Sequence, residues 1–283
     1  LPIEGTDLSG VFQVRTPDDA ENIRSYVEEN QVKKAVVIGA GFIGLEVAEN
    51  LKAKGVQVTV IDFASQILPN IVDAEVAVYA KKHLLKEGIR VITGTKADAI
   101  MGNDHVTGVK TSAGLLRCEL LIMAAGIRPN TDFLQDSGLE MFKGTILVDK
   151  TMKTNLEDVY AAGDCVMVTN RITGKPQWSP MGSSANLEGR TLAQVLTGTK
   201  KEYPGVLGTG VVKLPNLNIG RTGLTEEQAK NAGYDVVTVV APTDDKAHYY
   251  PDAGFFITKL IADRESHKLL GVQVLGTAQL IKW

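Results

Sequence analysis

The sequence predicts an α/β fold: a Rossmann-like nucleotide-binding domain carrying an antiparallel meander, followed by a C-terminal α+β domain. Three observations carry this. Between Lys34 and Asp62 an apolar run, Ala35 to Ile38, breaks into Gly39, Gly41 and Gly44, then continues with Ile43, Val47, Ala48 and Leu51 at helical spacing into a second β-branched run, Val56 to Ile61. Strand and helix patterns go on alternating to Ile92, as a parallel sheet requires. From about Tyr203 the pattern shifts to strand-like runs with a single helix, the mark of a separate α+β domain.

The opening stretch, LPIEGTDLSGVFQVRT, is rich in Pro, Gly and Asp; its one strand-like piece, Val11 to Val14, reads as part of a connection. Thr16 before Pro17 suits an N-cap followed by proline at the first helical position, and Ala20, Ile23 and Val27 form an apolar stripe to about Glu29. In the β-α-β unit that follows, Gly39 permits the tight turn, Gly41 lets backbone approach a pyrophosphate, and Gly44 lets helix pack close to strand. The phosphate would then meet the helix N-terminus. Asp62 lies 23 residues after Gly39, where a carboxylate accepts hydrogen bonds from a ribose 2′-OH and repels a 2′-phosphate. That pattern selects NAD over NADP.

After Leu68-Pro69 makes a break, Asp73 to Glu87 places Val76, Tyr79, Ala80, His83 and Leu84 on one helical face expected to be buried. Gly88 stops this helix, and Ile89 to Ile92 is a third strand. From Ala97 to Leu121, short alternating runs with turn signals at Gly102-Asn103-Asp104 and Ala113-Gly114 predict the meander, ahead of a last parallel strand at Leu120 to Ala124. Ile146 to Val148 and Val159 to Ala161 read as short strands, the second running into Gly163-Asp164. An acid just past a strand tip sits where open α/β sheets bind ligands. Small residues Ala185, Gly189 and Ala193 predict a closely packed helix from Met181 to about Leu196. Strands at Val211 to Leu214, Val236 to Val240, Gly254 to Ile261 and Leu269 to Leu275, with a helix near Glu226 to Ala232, complete the chain.

With 30 basic and 33 acidic side chains and a net charge of −3, the sequence carries no basic footprint for nucleic acid. No apolar run approaches the roughly 20 residues of a spanning helix, and the N-terminus has neither a basic n-region nor an apolar h-region. The reading is a soluble cytoplasmic protein without nucleic-acid or membrane partners. Cys118 and Cys165 form neither a C-x-x-C pair nor a zinc pattern. Cys118 lies in an apolar strand pattern, and the charge of Asp164 disfavours a thiolate at Cys165, so neither reads as a redox nucleophile. The histidines His83, His105, His248 and His267 are scattered, without metal-ligand spacing.

Four ordered motifs, GAGFIGLE (39–46), AAGIRPN (124–130), TNLEDVYAAGDC (154–165) and GRTGLTEEQA (220–229), together resemble the FAD-dependent pyridine nucleotide-disulfide oxidoreductases. HYYPDAGFF and LLGVQVLG look most like their NADH oxidase and coenzyme A-disulfide reductase branch. The resemblance implies that Gly39, Gly41, Gly44 and Asp62 bind NAD(H) and that Phe42 gates the nicotinamide pocket. It places Glu46 near the flavin, where relatives pair it with a lysine. It assigns Gly126 to the second nucleotide-domain signature, and Gly163 and Asp164 to the turn that holds the ribityl chain of FAD. Tyr249 and Tyr250 are both candidates for a tyrosine that assists thiol chemistry across a homodimer interface.

The resemblance divides the chain into an FAD-domain remnant and linker helix (1–31), an NAD(H)-binding domain (32–150), a returning FAD-domain segment (151–202) and a dimerisation domain (203–283). The family's N-terminal FAD fingerprint and redox cysteine are not in this sequence, and its end stops short of the family's last interface helix. The expectation is therefore a fragment of an NADH-dependent flavoprotein, passing hydride from NADH to FAD and on to a disulfide, oxygen or peroxide, with the chain alone binding only NAD(H). Two alternatives stay open: a flavin-dependent reductase of a small iron-sulfur protein, and a non-catalytic NAD(H)-sensing module.

Overall fold

Near-continuous apolar runs such as KAVVI need cover on both faces, which a parallel sheet between helices provides. The computed structural model, which describes residues 3–277, has that sheet. In chain order, β1 (Val11–Gln13) and α1 (Pro17–Glu29) precede the unit β2 (Lys34–Ile38), α2 (Phe42–Ala53) and β3 (Gln57–Ile61). Next come α3 (Ala74–Lys86), β4 (Arg90–Ile92), the meander β5 (Ala97–Gly102), β6 (Val106–Thr111) and β7 (Gly114–Arg117), and then β8 (Leu120–Met123). The sheet order is β1-β8-β2-β3-β4, parallel throughout. Every β2 residue after Lys34 is buried.

A four-stranded sheet follows, made of β9 (Met141–Phe142), β10 (Thr145–Leu147), β11 (Val166–Thr169) and β12 (Pro176–Trp178), and then the helix α4 (Gly182–Leu196). The C-terminal domain consists of β13 (Gly210–Leu214), β14 (Leu217–Gly223), α5 (Glu226–Asn231), β15 (Val236–Asp244), β16 (Phe255–Asp263) and β17 (Leu269–Gly276). Its sheet is antiparallel, in the order β13-β14-β17-β16-β15.

Both domains share one apolar core. Leu45, Ala48 and Leu84 on the helices of the nucleotide domain pack in one cluster with Val212, Leu214, Ile219 and Leu275 of the C-terminal sheet. The opposite face of the parallel sheet is covered by the meander through Ile100, Val106 and Val109.

Five expectations need correction. Val11–Gln13 is an edge strand of the parallel sheet, with Val11 opposite Leu121, and not part of a connection; three residues are too few for a period to show. Tyr79 is 50% exposed and stacks on Phe255 at 5.8 Å, because it lies at the rim of the α3 face where the C-terminal sheet arrives. Val159 to Ala161 is not a strand: Tyr160 forms a lone bridge with Lys153, and β10 already has β9 and β11 as neighbours. Gly163-Asp164 therefore precedes a strand, β11, and does not follow one. On α4 the small residues Gly189 and Ala193 are exposed, and the buried pair is Glu188 and Thr191. Finally, β14 was absent from the pattern because Gly220 and Gly223 interrupt it; pairing with β13 and β17 on both sides overrides that weak propensity. The expected early end of the last domain lies outside the described residues.

Candidate nucleotide-binding site

A cleft of about 1260 Å³ opens beyond the C-terminal ends of β2 and β3, and Gly39, Gly41, Phe42, Glu46, Asp62 and Gly126 all line it. This is the crevice in which open α/β sheets bind ligands. Gly39 turns the chain with φ +112, and a Cβ there would lie 2.3 Å from the Ala124 carbonyl oxygen. Gly44 is the point of close approach: its Cβ would fall 1.9 Å from the Gly39 carbonyl oxygen. At Gly41 the situation is reversed, since a Cβ would meet nothing within 4 Å. Gly41 is the N-cap of α2 and no side chain caps that helix start. The first-turn N–H groups are thus left for an anion in the cleft, with the helix dipole favouring negative charge.

Asp62 stands at the tip of β3 with both oxygens fixed. Oδ2 accepts from the Ala40 N–H at 2.6 Å and Oδ1 from the Ala64 N–H at 2.7 Å. Each carboxylate oxygen keeps further acceptor capacity for a hydroxyl donor. Phe42, the first residue of α2, packs its ring against Gly210 of β13, where a Cβ would approach ring Cζ to 3.0 Å. Burial pushes the Glu46 carboxyl above its usual range; a backbone hydrogen bond from Lys213 opposes this, and Glu49 adds to it. Among the described residues no cation pairs with Glu46, and the Lys213 ammonium sits 3.5 Å from Glu49 instead.

Several walls of the cleft were not legible in the sequence. Trp178 to Met181, ahead of α4, and Arg221, within the glycine-interrupted β14, both line it. Phe63, beside Asp62, also lines it and is 77% exposed. An arginine among glycines and an exposed aromatic after the strand-tip acid were the available signals.

Gly163 and Asp164 form a second locus outside the cleft walls. The Gly163 N–H, on a residue with φ +93, donates to Glu188 at 2.8 Å. Glu188 is 1% exposed, and burial pushes its carboxyl up. The Trp178 indole N–H donates to the Asp164 backbone carbonyl at 2.8 Å, so this turn is tied to the wall of the cleft. The Asp164 carboxylate is exposed and makes no hydrogen bond among the described residues.

Tyr249 and Tyr250 lie on the β15–β16 connection, 76% and 56% exposed, and take no part in the cleft. Burial pushes the Cys118 thiol up to about 12, and Cys165 is also raised, by burial first and then by Glu188 and Asp164. Both thiolates are scarce at neutral pH. Among the described residues no cluster of three or more His, Cys, Asp or Glu could hold a metal ion, and no helix is long and apolar enough to cross a membrane.

A family profile described as pyridine nucleotide-disulphide oxidoreductase matches residues 1–185, and the dimerisation domain of the same family matches residues 210–282. The chain belongs to the pyridine nucleotide-disulphide oxidoreductase family. Among this family's curated members, an NADH oxidase of Methanocaldococcus jannaschii is 38% identical over 97% of this chain and 61% of its own length. Among solved structures, an NAD-dependent persulfide reductase from A. fulgidus superposes with a TM-score of 0.95 at 38% identity, covering 100% of this chain and 52% of that one. An engineered water-forming NADPH oxidase, bound to NADPH, superposes with a TM-score of 0.92 at 25% identity, covering 99% of this chain and 62% of that one. The chain thus spans about three fifths of the length of the curated pyridine nucleotide-disulphide oxidoreductases it matches.

Proposed function

We propose that this chain forms the NADH-binding part of a flavoprotein oxidoreductase that passes electrons from NADH through FAD to a disulfide, oxygen or peroxide acceptor. The observation that carries the reading is the uncapped start of α2 at Gly41, facing a cleft that Asp62 also lines. The α2 amides bind the pyrophosphate and Asp62 binds the adenosine ribose. Phe42, Glu46 and the Trp178 to Met181 wall line the part of the cleft left for the nicotinamide.

For the flavin, the fixed turn at Gly163 and the unpartnered Asp164 carboxylate suit a polyhydroxyl chain. These two residues would hold FAD, which when bound supplies the hydride-accepting ring. Glu188 and Trp178 keep that turn in place. The dimerisation-domain match supports a homodimer for the whole protein, in which Tyr249 and Tyr250 are free to reach another subunit.

NADH preference has independent support. The engineered NADPH oxidase carries substitutions at a glycine and at positions 18, 19, 20 and 25 residues beyond it, the first of these an aspartate and the last a proline. In this chain Gly44 is followed at the same spacings by Asp62, Phe63, Ala64 and Pro69. The unaltered Asp62 supports exclusion of a 2′-phosphate. Replacing Asp62 with Ala is expected to weaken NADH binding by about 1 to 3 kcal/mol, for loss of a charged acceptor, and to admit NADPH. Titration of both nucleotides checks this, and unchanged affinities for both would refute the assignment.

A further inference from the structure

One wall of the cleft is a loop, residues 67–73, that the nucleotide motifs do not account for. Leu68 and Asn70 hold left-handed backbone conformations, φ 48 and φ 63. Asparagine takes such a conformation readily, but a leucine keeps it only where the surroundings hold it there. One anchor comes from the glycine turn, as the Leu68 N–H donates to the Ala40 carbonyl at 2.8 Å. The other anchors come from the C-terminal domain. Arg221 of β14 donates from Nη1 to the Asn70 carbonyl at 2.7 Å and from Nη2 to the Gly208 carbonyl at 3.2 Å.

Asp73 ends the loop as the N-cap of α3, yet its side chain does not cap α3. It reaches the first turn of α5, whose N-cap is Thr225, and accepts from the Glu226 N–H at 3.1 Å. The same carboxylate accepts from Gln273 Nε2 at 2.6 Å and pairs with Lys259 Nζ at 3.2 Å, while the Asp73 N–H donates to Gln273 Oε1 at 2.7 Å. Lys259 and Gln273 are both 0% exposed. The Lys259 ammonium also lies 2.7 Å from Glu226 and 3.1 Å from Glu75. An ammonium without solvent exposure of its own keeps its charge through such partners. Pro69 and Ile71, between the anchors, line the cleft, whereas Asp73, Lys259 and Gln273 do not.

We propose that the C-terminal domain clamps the 67–73 loop through Asp73, Lys259, Gln273 and Glu226, and that this clamp sets how tightly the cleft holds its dinucleotide; the inference rests on the NAD(H) reading above. Asp73 and Lys259 are positioning residues, since they touch the nucleotide only through the loop.

Lys259→Met removes the charge at nearly constant length, and Asp73→Asn, which keeps shape and one acceptor, serves where the first variant fails to fold. NADH affinity in the folded variants is expected to fall about tenfold, within the usual range of coupling between sites. Amide exchange at Leu68, Ile71 and Val72 is expected to accelerate while Val37 in β2 stays protected. A merely structural role would lower the melting temperature and leave affinity and that local pattern unchanged. Folded variants that bind NADH within about twofold of the parent overturn the clamp. A parent chain that binds no NADH overturns the nucleotide reading and the affinity role together, and exchange at Leu68 then reports separately whether the loop is held.

Discussion

Gly39 and Gly41 are two residues apart and fail differently when a methyl group is added. At Gly39 the new Cβ would stand 2.3 Å from a backbone oxygen on a residue with φ +112, so Gly39→Ala is expected to cost about 1 to 3 kcal/mol of fold stability. At Gly41, with nothing within 4 Å, Gly41→Ala is expected to leave the melting temperature unchanged while the methyl group occupies phosphate space. The cost then falls on NADH binding, about 1 to 3 kcal/mol for an overfilled site. Thermal denaturation beside nucleotide titration separates the two, and a Gly41→Ala chain that binds NADH normally would show that the pyrophosphate lies elsewhere. At this scale the sequence was informative wherever a residue's place depends on its neighbours in the chain: Gly39, Gly44 and Asp62 are positioned by spacing within a single β-α-β unit. Arg221 and Trp178 reach the cleft from elements far along the chain, and no local spacing marks them.

Helices were the most legible elements because their stop and start signals are chemical. The reciprocal cap at the start of α1 is present in full: the Asp19 N–H donates to the Thr16 hydroxyl at 3.2 Å, and the Thr16 N–H donates to the Asp19 carboxylate at 2.9 Å. Thr16→Ala is expected to destabilise the chain by about 1 kcal/mol. Hydrogen bonds from the backbone of Thr16 and Arg15 hold the Asp19 carboxyl below its ordinary value of 3.8. Because the folded value is the lower one, its contribution is present above the ordinary value and is lost as pH falls through the folded one. An Asp19→Asn chain, which keeps those backbone donors but has no carboxyl to titrate, should therefore lose less stability on acidification than the parent, measured by melting temperature between neutral and acid pH. Strands were harder to read. β1 has three residues and its partner β8 lies across the whole nucleotide domain in sequence, while β14 is built on glycines that only pairing on both edges justifies. The run Val159 to Ala161 has strand composition but pairs only through the isolated bridge of Tyr160 with Lys153.

Across the whole molecule, the nucleotide domain and the C-terminal sheet share one apolar core and a set of buried polar bonds around Asp73. The cleft is therefore a product of both domains: the glycine turn supplies the uncapped start of α2, and the C-terminal domain supplies Gly210 behind Phe42 and the anchors of the 67–73 loop. The C-terminal α+β domain was legible as a change in pattern, but its contact with the nucleotide domain was not, since it joins residues as far apart as Asp73 and Gln273. The most direct test is an equilibrium titration of the unaltered chain with NADH and, separately, with NADPH. Saturable binding of one NADH per chain, with NADPH weaker by about tenfold or more, is the expected result of an α2 start open to phosphate and an Asp62 that repels a 2′-phosphate. Absence of saturable NADH binding, or equal affinity for the two nucleotides, would contradict it.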